Sequence, residues 1–368
     1  MSAEVALAIA GSIAIIYGGG QIPSANIVIG MFAEKLLQLG CTVYGVHKSF
    51  LGMCDVSNYE AFTLKRAREI QKMLGTYLSM CRKVVPYADK FFNKIIDALR
   101  ELDIHTLVVP GGDGSSKAVS GLIKRAKKEG YDLRAIFVPC TIDGIAGSLC
   151  MGYSPAVMES FRHASFMIAN AFATWHPDFV TPRIPIIEVQ GRNRNDISVG
   201  VIRKIVKAGR IGKYSLNDFN LIFLPAAYNW SIYDLLNKIY SEDKETAIIV
   251  AEGAKPVEEY WNAISGKNAG EKIKNIVTAT KKRECNLDII GYVSQTNDCV
   301  SEEEIQLIDE WTNYAIKAMA KTDRSIAVIK NGDKYSKKSV HTFAKATNSD
   351  DPIPLSDEEL TEFADYLL

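Results

Sequence analysis

The segment Gly-Gly-Asp-Gly-Ser at residues 111–115 constrains the fold of this chain more than any other part of its sequence. An apolar run precedes it at residues 106–110, and apolar residues at helical spacing follow it at residues 118–126. This order predicts a strand, a glycine turn and a helix. Glycines let the main chain approach an anion closely, and the first N–H groups of a helix point toward such an anion. The segment therefore predicts a phosphate-binding turn.

Asp113 is the unexpected member of this turn. A carboxylate beside a phosphate repels it unless a cation lies between them, so Asp113 is predicted to hold a Mg²⁺ that arrives with a polyphosphate. The simpler alternative is that Asp113 or Ser115 only caps the helix. The segment alone leaves both interpretations open.

Composition bounds the class of protein without naming a function. The chain has 368 residues, 47% of them hydrophobic, and this length predicts about two domains. Lys plus Arg equals Asp plus Glu at 43 each, so no net field favours a nucleic acid or an acidic membrane as partner. The apolar residues 5–16 lack a preceding positive charge and lead into glycines, so we expect a buried strand there and no signal peptide.

The histidines and cysteines show no metal-binding or disulfide pattern. The five histidines are scattered, and the seven cysteines contain no Cys-x-x-Cys pair. An odd, dispersed set of cysteines in a long chain is typical of reduced thiols, which predicts a cytoplasmic protein.

Strand and helix patterns alternate along the chain. Strands are predicted at residues 13–17, 42–46, 105–110, 134–138, 184–189, 220–224, 246–251, 287–293 and 325–329. The first helices are predicted at residues 24–39, 59–74, 87–102 and 115–129. This alternation indicates an α/β fold with parallel sheets covered on both faces, whose ligands lie at the carboxyl ends of strands. A second glycine turn, at residues 18–20, follows the first strand at such an end.

A third segment, Pro-Cys-Thr-Ile-Asp-Gly at residues 139–144, completes a recognisable set. With Gly-Gly-Gly-Gln-Ile-Pro at residues 18–23 and the segment at residues 111–115, the chain resembles the phosphofructokinase family, whose matching segments read GGDxPG, GGDGS and P-G/K-TIDND. Further matches follow in the family's order at residues 75–82, 183–192, 251–253 and 291–295.

The resemblance implies a particular architecture. It predicts the phosphofructokinase fold, with two Rossmann-like three-layer α/β domains and a site in the cleft between them. Residues 1–157 and 294–346 would form a nucleotide-binding domain, and residues 158–293 and 347–368 a substrate-binding domain. Family members assemble as dimers or tetramers, which predicts a homo-oligomer.

The same resemblance implies a role for each matching residue. The implied catalytic residues are Asp143, which takes the proton of the sugar hydroxyl, Arg192, and Arg82, which neutralises the moving phosphate. The implied nucleotide-binding residues are Gly20, Arg82, Lys83, Gly112, Asp113, Gly114 and Ser115, with Asp113 as the magnesium ligand. The implied substrate-binding residues are Thr141, Asp143, Arg183, Gln190, Gly191, Arg192, Glu252, Tyr292 and Gln295.

Some of these residues have simpler alternatives. The alternative for Arg192, ranked below its implied role, is the partner of a surface salt bridge. Glu252 would serve equally as the cap of a helix that begins near Val257. Arg183 matches an arginine that the family offers to the sugar phosphate of a neighbouring subunit.

Two positions bear on the phosphoryl donor. In the family that this chain resembles, members that use ATP carry a small residue after the aspartate of GGD. Members that use pyrophosphate tend to carry Asp there and Lys before the threonine of TIDND. Here these positions hold Gly114 and Cys140. The pair favours ATP over pyrophosphate, because Gly114 leaves room for a longer phosphate chain.

The departures from the family pattern fall on the acceptor side. Ile145 replaces the second Asp of TIDND, and Asn286, Tyr292 and Gln295 stand where the family has two arginines and a histidine that grip a 6-phosphate. Lost charge-assisted hydrogen bonds weaken the binding of a dianion. Three hypotheses follow: a kinase of fructose 6-phosphate, which we rank first, a kinase of an acceptor without that phosphate, and a non-catalytic nucleotide-binding subunit.

Overall fold

The structure of the chain, a computed structural model, describes residues 9, 11–73, 75–82, 84–142, 144, 148–174, 183–191, 194–240, 244–280, 283–291, 300–347 and 353–368. Its strands are β1 Ser12–Ile15, β2 Thr42–Val46, β3 Tyr59–Ala61, β4 Ile104–Gly111, β5 Arg134–Pro139, β6 Ile184–Val189, β7 Arg210–Ile211, β8 Tyr214–Ser215, β9 Phe219–Leu224, β10 Glu245–Ala251, β11 Cys285–Ile290, β12 Ile326–Asn331 and β13 Lys334–Ser339. Its α-helices are α1 Ala25–Gln38, α2 Ser49–Gly52, α3 Leu64–Ile70, α4 Asp89–Glu101, α5 Asp113–Lys128, α6 Tyr153–Ala173, α7 Asp196–Ala208, α8 Ile232–Tyr240, α9 Ala269–Ala279, α10 Glu302–Ala320, α11 Val340–Ala346 and α12 Asp357–Glu362. Short 3₁₀ helices lie at Val56–Asn58 and Glu259–Ala263.

The chain divides into two compact units. The first unit is Met1–Pro155 with Thr296–Asn348, and the second is Ala156–Gln295 with Ser349–Leu368. The assignment of nucleotide to one domain and substrate to the other stays a prediction.

The sheet of the first unit has the strand order β13-β12-β5-β4-β1-β2-β3. Its inner strands pair in parallel, and only the edge strands β3 and β13 are antiparallel. Since β1, β4 and β5 are adjacent and parallel, the loops that follow them meet at one rim of the sheet. The predicted phosphate-binding turns are two of these loops.

Apolar helix faces cover the sheet of the first unit. On one side α4, α5 and α11 bury residues such as Leu99, Leu122 and Phe343 in one cluster with Leu107 of β4. Elsewhere in this unit α1 packs against α3 and α10. A side chain at position 30 of α1 would overlap α3, since a Cβ there would lie 2.6 Å from the Ala67 carbonyl oxygen.

The sheet of the second unit has the strand order β11-β6-β10-β9, with all neighbours parallel. Its core contains Trp230, whose indole ring meets that of Trp261 edge to face at 6.0 Å. The C-terminal segment, residues 353–368, covers the outer strand β9: the Phe223 N–H donates to the Tyr366 carbonyl at 2.9 Å. This bond satisfies a sheet edge that would otherwise be open.

One predicted helix is wrong at its start. Residues 59–61 form β3, which pairs with β2, and the helix begins only at Leu64. The Thr63 hydroxyl accepts the Arg66 N–H at 3.1 Å and so sets the start of that helix. Strand β13 was not predicted, because its lysine-rich and largely exposed sequence lacks an apolar face.

No helix within the described part of the chain combines the length and apolar character that a membrane crossing requires.

Candidate functional site

The two glycine turns of the first unit lie directly against each other. The Gly18 N–H donates to the Pro110 carbonyl at 3.0 Å, and the Gly112 N–H donates to the Gly18 carbonyl at 3.3 Å. The Tyr17 hydroxyl closes the first turn by donating to the Gly20 carbonyl at 2.7 Å. These bonds hold the ends of β1 and β4 at one place on the rim.

Glycine is required where the turns touch. A Cβ at Gly18 would lie 2.2 Å from the Ser115 hydroxyl, and a Cβ at Gly111 would lie 2.4 Å from the Gly18 carbonyl oxygen. Gly19 has a φ of 138°, which favours glycine. Ser115 is buried and fills the space between the two turns. Close packing of main chain therefore explains these glycines.

Helix α5 begins at the second turn, with Gly112 as its N-cap. The N–H groups of Ser115 and Ser116 both donate to the Gly112 carbonyl at 3.1 Å. Those of Asp113 and Gly114 precede the helical bonding pattern, so this terminus leaves them to other acceptors. The N-cap is Gly112 and no side chain caps the helix, so the capping alternative for Asp113 and Ser115 is wrong.

The carboxylate of Asp113 has two different environments. Its Oδ1 is buried and has no hydrogen-bond partner among the described residues. Its Oδ2 lies 3.4 Å from the Lys117 ammonium, one helical turn later. A buried carboxylate oxygen without a hydrogen-bond donor costs free energy, and a bound cation would remove that cost. This oxygen is therefore suited to act as a ligand of a cation.

The segment after β5 joins the same rim. The Cys140 N–H donates to the Gly111 carbonyl at 3.0 Å. The Thr141 hydroxyl lies 3.6 Å from the point where a Cβ of Gly112 would be. Burial raises the pKa of the Cys140 thiol well above its usual value, so this residue is neutral and offers no charge to a phosphate. Asp143 lies outside the described residues.

The segment that leads to Arg82 runs beside the carboxyl end of β2, the strand adjacent to β1. Lys48, two residues past β2, donates its N–H to the Leu78 carbonyl at 2.8 Å. Arg82 itself is exposed, and Lys83 lies outside the described residues.

A cavity of about 640 Å³ that the sequence analysis did not predict lies along α5. Lys117, Gly121 and Lys124 line it from the helix, and Tyr87 and His341 line it from two other segments. A Cβ at Gly121 would lie 2.3 Å from the ring of Tyr87, so the missing side chain makes room for that ring. Lys117 links the cavity to Asp113. Sequence reasoning missed it because its walls are far apart along the chain.

Three of the predicted substrate residues meet at the carboxyl ends of β6 and β10 in the second unit. The Glu252 N–H donates to the Val189 carbonyl at 2.9 Å, and the Gly191 N–H donates to Glu252 Oε2 at 3.2 Å. Gln190 has a buried amide oxygen without a partner among the described residues. The alternative that Glu252 caps a helix is wrong, because the next helical turn begins at Glu259 and its N-cap is Glu258.

Glu188 is a buried carboxyl group that sequence reasoning did not single out. It lies on β6 and accepts the Gly270 N–H at 2.7 Å. Its pKa is raised to about 7, chiefly because of burial; the Gly270 hydrogen bond lowers it in part, and the nearby Glu252 and Glu271 also raise it. The sequence feature that could have indicated Glu188 is a single charged residue within the apolar strand Ile-Pro-Ile-Ile-Glu-Val.

Arg183 and Arg194 are both engaged by carboxylates. Arg183 Nε lies 2.7 Å from Glu284 Oε2 where β6 and β11 begin, so the length of β6 separates it from Gln190. Arg194 Nε lies 2.9 Å from Asp196 Oδ2. Asn286 is part of the edge strand β11. Arg192, Tyr292 and Gln295 lie outside the described residues, so the predicted roles of these three stay predictions.

Several known proteins are similar to this chain in sequence. The ATP-dependent 6-phosphofructokinase of Finegoldia magna is 30% identical over 190 residues, which cover 51% of this chain and 55% of the relative. The chain thus spans about half the length of that relative. The ATP-dependent 6-phosphofructokinase of Streptococcus suis is 26% identical over 264 residues, which cover 70% of each chain.

Solved structures show the same fold. The phosphofructokinase of Saccharomyces cerevisiae aligns with a TM-score of 0.71 at 19% identity and covers 91% of this chain and 45% of that one. The pyrophosphate-dependent phosphofructokinase of Marinobacter aquaeolei aligns with a TM-score of 0.71 at 16% identity and covers 97% of this chain and 90% of that one. The phosphofructokinase family model matches residues 12–319, a range that contains both glycine turns and the Glu252 cluster. The chain belongs to the phosphofructokinase family.

Proposed function

We propose that this chain transfers a phosphoryl group from ATP, together with Mg²⁺, to a hydroxyl of a sugar phosphate. The reaction would convert fructose 6-phosphate to fructose 1,6-bisphosphate. The observation that carries the proposal is the buried Oδ1 of Asp113, which has no hydrogen-bond partner within the described part of the chain and lies beside two glycine turns whose main chains touch.

Asp113 fits a magnesium ion that arrives with phosphate. Mg²⁺ prefers one or two carboxylates and completes its shell with water and phosphate oxygens. Among the described residues no group of three or more His, Cys, Asp or Glu side chains could hold a metal by itself. When bound, Mg²⁺ would neutralise negative charge on the phosphates.

The cavity along α5 supports ATP over pyrophosphate as donor. A nucleoside needs a concave pocket with an aromatic or apolar wall, which Tyr87 beside Gly121 supplies. Lys117, between this cavity and Asp113, suits the charge of the phosphate chain. Pyrophosphate has no group that would use the cavity.

The chain's own residues would carry the transfer. The acceptor hydroxyl would give its proton to Asp143 as its oxygen bonds to the terminal phosphorus, and ADP would leave. Arg82 and Arg192 would neutralise the transferring group, and the N–H groups of Asp113 and Gly114 would bind its oxygens. Gln190, Gly191 and Glu252 would hold the acceptor, joined by Thr141.

A second candidate is an acceptor without a 6-phosphate. Arg183 and Arg194 are each paired with a carboxylate, and Asn286 is neutral where the family carries an arginine. These observations favour a kinase of the same fold acting on a sugar with fewer phosphates.

The test is an assay of ADP or phosphate release with purified protein. Mg-ATP and Mg-pyrophosphate would be offered with fructose 6-phosphate, fructose and a panel of other sugars and sugar phosphates. We expect turnover with Mg-ATP and fructose 6-phosphate that falls by about 1,000-fold or more in Asp143→Asn and strongly in Asp113→Asn. The control is Asp97→Asn on α4, whose side chain is 74% exposed.

Each outcome selects one hypothesis. Turnover only with an unphosphorylated sugar would establish the second candidate, and turnover only with pyrophosphate would overturn the proposed donor. Nucleotide binding without turnover on any acceptor would identify a non-catalytic subunit.

We also propose a homo-oligomer, a dimer or tetramer, which light scattering after size-exclusion chromatography would test.

A further inference from the structure

Asn195 joins three segments of the second unit. Its Oδ1 accepts the Ala226 N–H at 2.7 Å, and its Nδ2 donates to the Ala226 carbonyl and to the Ile353 carbonyl, both at 3.0 Å. It is the N-cap of α7, yet its side chain does not cap that helix. The amide is therefore fully used in bridging the loop before α7, the loop after β9 and the C-terminal segment.

These bonds are strong constraints because the amide is buried. Asn195 is 7% exposed, so a lost partner would leave buried polar groups unsatisfied. Its partner Ala226 precedes Ala227, which has a φ of 54°, a conformation that needs support from its surroundings. Asparagine suits this place because it donates and accepts at once, whereas aspartate would place a carboxylate against two carbonyl oxygens.

The C-terminal segment gives Asn195 a fixed acceptor. Phe363 is fully buried and its ring meets that of Phe223 edge to face at 5.8 Å. Arg203 on α7 forms a bidentate pair with Glu362, with its shortest distance at 2.7 Å. These contacts hold residues 353–368 against the sheet and α7.

The loop before Asn195 carries residues of the proposed acceptor site. Its beginning is fixed where the Gly191 N–H meets Glu252, and its end is fixed by Asn195. Gln190 lies at the start of this loop, and its buried amide oxygen has no partner among the residues that the structure describes. The Arg194 N–H, next to Asn195, donates to the Gly191 carbonyl, so a shift at Asn195 would be transmitted to the groups that bind the acceptor.

We propose that Asn195 is a positioning residue through which the C-terminal segment holds Gln190 and Gly191, at the start of the acceptor-binding loop, in their binding geometry. The proposal rests on the proposed function for the acceptor role of that loop. The structural coupling itself does not depend on which acceptor is used.

The first arm of the test measures coupling without any ligand. Hydrogen–deuterium exchange would be followed in peptides covering residues 184–199 and 353–368 of the full-length protein. We expect exchange in residues 190–195 to rise about 10-fold in Asn195→Ala and Asn195→Asp, since each loses at least two hydrogen bonds. Phe363→Ala, which loosens the C-terminal segment, should raise exchange in the same loop.

The second arm measures KM and kcat with fructose 6-phosphate and Mg-ATP. We expect both Asn195 variants to raise KM for fructose 6-phosphate about 10-fold, with little change in kcat or in KM for ATP. The matched control is Asn220→Ala on β9, which removes an 8% exposed asparagine bonded to the Lys238 carbonyl at 2.9 Å. It should lower stability comparably and leave KM unchanged.

The two arms separate failure of this proposal from failure of the proposed function. If the unmodified protein does not use fructose 6-phosphate, the proposed function is wrong, and the exchange arm still decides the coupling. Exchange confined to residues 353–368 in Asn195→Asp and Phe363→Ala would overturn the proposal. An equal rise in KM in Asn220→Ala would also overturn it, because the effect would then reflect general destabilisation.

Discussion

At the scale of single residues, the second unit places a carboxyl group where a charge is unfavourable. Glu188 is buried on β6 and accepts the Gly270 N–H. A side chain at position 270 would crowd it, since a Cβ there would lie 3.1 Å from Glu188 Oε2. The proposed acceptor site therefore has a titratable group, Glu188, two residues before Gln190.

The pH dependence of stability should report Glu188. Its pKa rises from 4.5 to about 7 on folding, so the folded chain holds the proton more tightly than the unfolded chain. The free energy of unfolding should fall as the pH rises from about 4.5 to about 7, by on the order of 3 kcal/mol, and then stay level. Urea unfolding at pH 5 and pH 8 would measure this change.

In Glu188→Gln this pH-dependent contribution should vanish. The free energy of unfolding of the variant, relative to that of the unmodified chain, should therefore be higher at pH 8 than at pH 5. Glu358→Gln, at an exposed position of the C-terminal segment, serves as the control. An identical pH profile in Glu188→Gln and the unmodified chain would show that another group titrates.

The absent side chain of Gly121 predicts a specific effect on the donor. In Gly121→Ala the new Cβ would lie 2.3 Å from the Tyr87 ring and displace it from the cavity wall. We expect KM for ATP to rise about 10-fold, while thermal stability is kept or improved because alanine favours a helix. Steady-state kinetics and thermal unfolding would measure both, with Lys127→Ala on the exposed face of α5 as control.

An unchanged KM for ATP in Gly121→Ala would place the nucleoside elsewhere. An equal change in Lys127→Ala would point to a general effect on the helix.

At the scale of elements, the C-terminal segment contributes to the stability of the second unit. Phe363→Ala should lower the free energy of unfolding by about 3–5 kcal/mol, because a fully buried aromatic ring is removed from contact with Phe223. Urea unfolding would measure the loss. Tyr233→Ala, at a position that is 72% exposed, should have little effect. A small loss in Phe363→Ala would mean that the segment is only weakly attached.

At the scale of the whole molecule, the two units should respond to different ligands. Mg-ATP should reduce hydrogen exchange in peptides of the first unit, around residues 111–121, because it would bind the glycine turns. Fructose 6-phosphate should reduce exchange around residues 188–196 and 251–253 of the second unit. Protection of the same peptides by either ligand alone would contradict the predicted division of roles.

The parts of the fold that sequence predicted are those with local causes. The turn at residues 111–115 follows an apolar strand and opens a helix, so neighbouring residues determine it. Tyr59 to Ala61 became a strand because β2 offered an edge, which no local pattern reveals. The Tyr87 cavity and the Asn195 bridge join residues far apart in the chain, and both depend on packing.

The contact between Asp113 and Lys117 has a consequence for the order in which ligands arrive. An ammonium 3.4 Å from the carboxylate already serves as its counterion, so a bare divalent ion must compete with it. Free Mg²⁺ should therefore bind weakly, and the metal should enter with the nucleotide, whose phosphates give the lysine a new partner. Calorimetric titration should find tighter binding of the bare ion in Lys117→Met.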